Sequence, residues 1–122
     1  MVAQSKNDTK LQPFKWTDDE VELLLKITQV YKTSKAVQNI DWESCQTKYG
    51  DILKNFNNHN PSRENALKFG KEYPHKEGDL SKSVLAFKLK MIRKRFREGI
   101  DSVRKSGHGR VVLLYFELCQ QI

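Results

Sequence analysis

The stretch KLKMIRKRFR, from Lys88 to Arg97, carries six basic side chains in ten positions, interrupted by Leu89, Ile92 and Phe96 at spacings of three and four. Lysine and arginine at this density can neutralise the phosphates of a polyanion, and their long stems can reach guanine O6 and N7 in a major groove. The charge is local. Residues 81–110 hold ten Lys/Arg against two Asp/Glu, a net of +8, while the other 92 residues hold twelve against thirteen, a net of −1. The whole excess of +7 therefore lies in one segment. A field concentrated in this way points to an acidic partner, with nucleic acid first and an anionic membrane second.

Other residue types capable of chemistry are present without a constellation. His59, His75 and His108 are scattered through polar or glycine-flanked stretches, and Cys45 and Cys119 form no CxxC pair. We expect the cysteines to be small buried hydrophobes in a reducing compartment, with no metal site and no cofactor. Asp18, Asp19, Glu20 and Glu22 resemble a carboxylate cluster, but on the first turn of a helix their placement is explained by the helix dipole. There is no phosphate-binding glycine loop, nucleophile elbow or triad. No catalytic residue, enzyme activity or small-molecule substrate is expected.

The elements that position the basic stretch can be read from caps and periodicity. The chain has 122 residues, 38% hydrophobic and 30% charged, which suits one small domain. Residues 1–13 read as a flexible lead-in. Thr17 and Glu20 fit a capping box, with Trp16 and Val21 placed as a hydrophobic staple. Val21, Leu24, Leu25, Thr28 and Tyr31 then make a helical stripe, predicting a first helix over 17–32. Asp41 is placed to cap a second helix over 42–56, with Trp42, Cys45, Tyr49 and Ile52 or Leu53 on one face. From 55 to 78 the Asn, Pro and Gly content predicts a long mobile connection with a short helical turn near SRENALKF.

Ser81 is placed to cap the third helix, with Leu80 and Leu85 as its staple. Leu85, Leu89, Ile92, Phe96 and then Ile100 or Val103 predict one long amphipathic helix that stops near Ser106. Its outer face carries Ser83, Phe87, Lys90, Met91, Lys94 and Arg97, with Arg93 and Arg95 on the shoulders. Lys82, Ala86, Arg104 and Lys105 complete the candidate binding set. A last helix over RVVLLYFELCQQI has Val112, Tyr115, Phe116 and Cys119 as core candidates, and it reaches the final residue, as it would in a segment cut from a longer protein. No β alternation is visible, and the fold class expected is all-α.

Three helices in this order, with Trp16 in KWTDDEVELLL, Trp42 in DWESC and the stripe Leu89, Ile92, Phe96 in a basic third helix, resemble the Myb/SANT-like family. RKSGHGRVVLLYFELCQQI, with the pair Tyr115–Phe116, is similar to the fourth helix of the trihelix subgroup. The resemblance covers roughly residues 14–122. Leu89 stands where the third tryptophan of the pattern would be, and the connection before the third helix is longer than a helix-turn-helix turn. The resemblance implies a three-helix bundle with an added C-terminal helix, a double-stranded DNA partner, a nuclear location, and a role in transcription regulators or transposon-derived proteins. It places Ser83, Ala86, Phe87 and Lys90 against base edges.

Two other readings stand beside it. A SANT-type module would bind a protein partner, but such modules tend to carry a neutral or acidic third helix. A membrane-surface helix would need more exposed Trp and Leu than this stripe offers. KMIRKRFR could also double as a nuclear-import signal.

Overall fold

Thr17 opens the first helix through its side chain. In the computed structural model, which describes residues 14–61, 63–75, 78–105 and 107–122, the Glu20 amide donates to Thr17 Oγ1 at 3.1 Å and the Thr17 amide donates to Glu20 Oε1 at 3.0 Å. The expected capping box is therefore present, and it satisfies two donors that the first turn would leave bare. The lead-in expected at 1–13 lies outside the described residues. Helix α1 spans Asp18–Val37 and buries Val21, Leu24, Leu25, Thr28 and Tyr31, the expected stripe, together with Ile27 and Glu20. It runs five residues past its expected end. Asn39 stops it in the left-handed region at φ 60. The Ile40 amide reaches the Lys35 carbonyl at 2.8 Å and the Asn39 amide reaches that of Ala36 at 3.0 Å. This is a Schellman termination with asparagine in the place more often given to glycine.

Helix α2 spans Lys48–His59, not 42–56, and Asp41 does not cap it. The six residues from Trp42 to Thr47 form turns that carry Trp42 into the core, edge-on to Tyr31 at 6.5 Å and to Tyr49 at 6.4 Å. A polar cluster holds this turn in place. Tyr31 Oη donates to Asp51 Oδ2 at 2.6 Å, Thr47 Oγ1 donates to the same oxygen at 3.0 Å, and Cys45 Sγ lies 3.4 Å from Tyr31 Oη. The Tyr31 hydrogen bond lowers the pKa of Asp51 below the usual carboxylate value. Helix α2 then buries Ile52 and Phe56.

The connection is more ordered than its composition suggests. Residues 55–59 belong to α2, and α3 spans Arg63–Lys68, the helical turn that was expected. Residues 71–75 are strapped across the start of α1. The Glu72 amide donates to Asp19 Oδ2 at 2.7 Å, Thr17 Oγ1 donates to the Glu72 carbonyl at 2.7 Å, and Tyr73 Oη donates to the Asp19 carbonyl at 3.1 Å. His75 Nδ1 meets the buried Glu20 Oε2 at 2.8 Å and its ring stacks on Phe14 at 3.7 Å. The acidic first turn of α1 thus holds the strap as well as suiting the dipole.

Helix α4 spans Lys82–Glu98 and carries the basic stretch. The Val84 amide donates to Ser81 Oγ at 3.2 Å, the expected cap, and Leu85, Leu89 and Ile92 are buried. The long third helix expected to reach Ser106 is broken at Gly99, and Ser106 itself lies outside the described residues. Gly99 sits at φ 113, ψ 167, a region that side chains other than glycine scarcely enter. Helix α5, Ile100–Lys105, therefore folds back on α4 and turns Val103 into the core while Ile100 stays exposed. The single last helix expected is two: α6, Gly109–Leu114, and α7, Phe116–Gln121, separated by Tyr115 at φ −114, ψ 39. Val112 and Cys119 are core residues as expected, but Tyr115 is only half-buried and Phe116 is exposed, meeting the half-buried Phe96 edge-on at 5.2 Å.

Seven helices and no strand make up the described residues, so the class is all-α. Helix α1 packs on α2 and α6, α2 on α4, and α4 on α5 and α7. One cluster joins Leu24, Leu25, Ile52, Phe56, Leu85 and Leu89 at the centre.

The α5–α6 corner depends on Gly109. A β-carbon there would stand 2.6 Å from the Val103 carbonyl oxygen and 3.1 Å from Arg104 Cα, both backbone atoms. Gly109→Ala is expected to destabilise the domain by roughly 1–3 kcal/mol, as overpacking does. A lower urea midpoint at unchanged slope would show it, and an unchanged midpoint would mean that the corner opens freely.

Candidate nucleic-acid interface

Helix α4 holds seven basic and no acidic residues between Lys82 and Arg97. The apolar stripe fixes its roll, since Leu85 and Leu89 are fully buried and Ile92 nearly so. The opposite face, with Ser83, Phe87, Lys90, Lys94 and Arg97, is exposed, and Ala86, Met91 and Arg93 are half-buried on its flanks. Phe87 is 64% exposed, an aromatic ring set among cations. Lys82 lies at the N-terminal end, where its stem passes near Gly50 of α2.

The roll divides the candidate residues. On one flank, Lys90, Arg93, Lys94 and Arg97 line a groove of about 370 Å³ whose other wall is Trp42, Glu43, Lys48 and Tyr49. Lys48 Nζ donates to the Trp42 carbonyl at 2.9 Å and lies 4.6 Å above the Trp42 ring and 5.4 Å from that of Tyr49. Lys90 Nζ approaches the same Tyr49 ring at 5.6 Å. Cation–ring contacts of this kind hold flexible lysine heads in place without cancelling their charge. Among the described residues lining the groove, which include Ile122, Glu43 is the one acidic side chain against five cations, with Oε1 at 4.0 Å from Arg93 Nη1. Lys90, Lys94 and Arg97 make no ion pair with a carboxylate of the described residues.

On the other flank, Phe87, Lys88, Met91 and Arg95 of α4 line a second cleft together with Val103, His108 and Val112. Arg95 is less free than its neighbours. Its Nη1 lies 3.4 Å from Ser102 Oγ and 4.0 Å from Glu98 Oε1. Lys88 Nζ lies 6.0 Å above the Trp16 ring, and burial pushes its pKa down. Arg104 and Lys105 are exposed on α5, but the bend at Gly99 removes them from the line of the α4 surface.

Lys48 and Tyr49 are absent from the candidate set read in the sequence. A basic residue followed by an aromatic at the start of a helix is the signal that marks them, and it was hidden because the second helix was expected to start at Trp42, which would have put both residues mid-helix.

The remaining chemistry is local. His75 and His108 each contact one carboxylate, Glu20 at 2.8 Å and Asp18 at 2.7 Å, and His59 Nδ1 contacts the Asn55 carbonyl at 2.8 Å. Among the described residues no three His, Cys, Asp or Glu side chains gather as a metal site. No helix of the described residues is long and apolar enough to cross a membrane. Both cysteines are free and buried, and burial raises the Cys119 thiol to about 12. The arrangement concentrates positive charge on one ridge and in one groove.

The chain matches no protein-family model, no curated protein and no solved structure.

Proposed function

We propose that this chain is a double-stranded DNA-binding domain of Myb/SANT-like, trihelix-type architecture. In this reading α1, α2 and α4 correspond to its three helices, with α6 and α7 as the added C-terminal element. Helix α4 enters the major groove, where Lys48, Arg93, Lys94 and Arg97 take phosphates. Ser83, Phe87 and Lys90 face base edges, with Phe87 suited to a thymine methyl. The domain would serve as the DNA-recognition module of a nuclear transcription regulator or a transposon-related protein.

One observation carries the proposal. Helix α4 carries seven Lys/Arg against one Asp/Glu, a net of +6 in a chain of net +7, and its exposed Lys90, Lys94 and Arg97 have no carboxylate partner among the described residues. A merely solvated helix would have no reason to leave the rest of the protein near neutral.

The test is binding of the chain to a labelled duplex over a salt series. If four or five phosphates are engaged, the log–log slope is about −4, from about −0.9 per phosphate. Selection from random duplexes should then yield a motif that Phe87→Ala relaxes at one or two positions, at roughly 1–3 kcal/mol on the preferred site. Affinity that ignores salt, or no binding at low salt, would remove the proposal.

A further inference from the structure

The groove between α2 and α4 differs from the open ridge beside it. It is concave, it is walled by two helices, the Trp42 turn and Ile122, and two of its cations rest near aromatic rings. Lys48 is tied to the Trp42 carbonyl, and Lys48 and Lys90 both rest near the Tyr49 ring. Arg93 is the least satisfied member. Its Nε is buried without a hydrogen-bond partner, and the nearest carboxylate, Glu43, stands at 4.0 Å from Nη1, beyond hydrogen-bond reach. A buried donor left without an acceptor is costly, and a guanidinium so placed is poised for an oxyanion that fits its planar fork.

We infer that this groove is a socket for one phosphate group. Resting on the DNA-binding reading, we assign its occupant as a single backbone phosphodiester that anchors the domain in one register on the duplex. Arg93 takes the phosphate through its fork and Lys48 approaches from the Tyr49 side, while Lys90, Lys94 and Arg97 stand at the mouth and remain free for base edges and neighbouring phosphates. Glu43 is the internal competitor and is displaced from Arg93 when the phosphate enters. Because the socket is built from two helices, its occupation also fixes how α4 lies in the groove. Phosphate contacts of this kind position a protein without reading sequence.

A methylphosphonate scan tests the inference. On the duplex selected by the chain, each linkage in turn is made neutral and the affinity measured. One linkage should cost the wild-type chain tenfold or more, and the neighbours threefold or less. In Arg93→Lys, which keeps the charge and loses the fork, that peak should fall below threefold. Lys48→Ala should lower it as well, and circular dichroism and thermal unfolding establish that each variant is folded. In parallel, inorganic pyrophosphate should shift the amide signals of Tyr49 and Arg93 and compete with the duplex. A flat scan, or a peak that survives both substitutions, overturns the socket while DNA binding stands. Absence of duplex binding at low salt overturns the DNA reading. In that case pyrophosphate shifts at Tyr49 and Arg93 support the socket as a site for a free phosphate group, and their absence overturns the socket too.

Discussion

The combined substitution Lys90→Ala, Lys94→Ala, Arg97→Ala is expected to weaken duplex binding on the order of 100-fold at 0.15 M salt and to flatten the log–log slope by about 1.8, two phosphates at about 0.9 each for Lys94 and Arg97. The three side chains are exposed on α4 and lack ion-pair partners among the described residues, and the one charge contact among them is that of Lys90 with the Tyr49 ring at 5.6 Å. Thermal stability should move by no more than about 0.5 kcal/mol, as for surface positions in general. The loss should be nearly equal on selected and random sequences, except for the part due to Lys90 if that side chain reaches a base edge. Arg95→Ala should cost less than any single member of the three, because Glu98 and Ser102 already engage its guanidinium. Equal losses for all four arginines and lysines would mean that net charge alone, and not the exposed face of α4, governs binding.

The second large effect concerns the core. Phe56 is the largest of the fully buried side chains, at 1% exposure, and meets Trp16 edge-on at 6.0 Å. Phe56→Ala is expected to destabilise the domain by about 3–5 kcal/mol, the usual range for emptying a buried phenylalanine site. That is a large share of the 5–15 kcal/mol that holds a typical domain together, so binding should be lost with the fold at physiological temperature. Phe96→Ala should cost less than half as much. Phe96 is only half-buried, and its edge contact at 5.2 Å is with the exposed ring of Phe116. Urea midpoints at constant slope measure both. If the order is reversed, α7 packs on α4 more tightly than its exposure indicates.

These expectations depend on parts of the fold that were unequally legible in the sequence. Caps were legible because they are local. Thr17, Glu20 and Ser81 each bond a partner three residues away, and each makes the expected bond. The apolar stripes of α1 and α4 were legible for the same reason. The start of α2 was not. Asp41 and Trp42 make a plausible helix opening in isolation, but the pull on Trp42 comes from Tyr31 and Tyr49, and the Tyr31–Asp51–Thr47 bonds that hold the turn span up to twenty residues. The strap at 71–75 was hidden by distance as well, because its partners Thr17, Asp19 and Glu20 lie more than fifty residues away. The Gly99 break was partly legible, since a glycine inside a helical pattern is a warning, but the continuing stripe to Val103 masked it. On the interface, the cations of α4 could be placed on a wheel. The facing wall, Lys48 and Tyr49, could not be seen until α2 had its true start, so the groove emerged only from the packing of two helices.

The central claim is that the exposed basic faces of α4 contact duplex DNA. Amide chemical-shift mapping during titration with a short duplex tests it most directly, because it reports the contacting surface without a substitution. The account predicts that the largest changes fall on Lys82–Arg97 and on Lys48 and Tyr49, with little change along the acidic first turn of α1 or at α3, and that they fade as salt rises. Changes centred on α1, α3 or α6, or none at low salt, would contradict it.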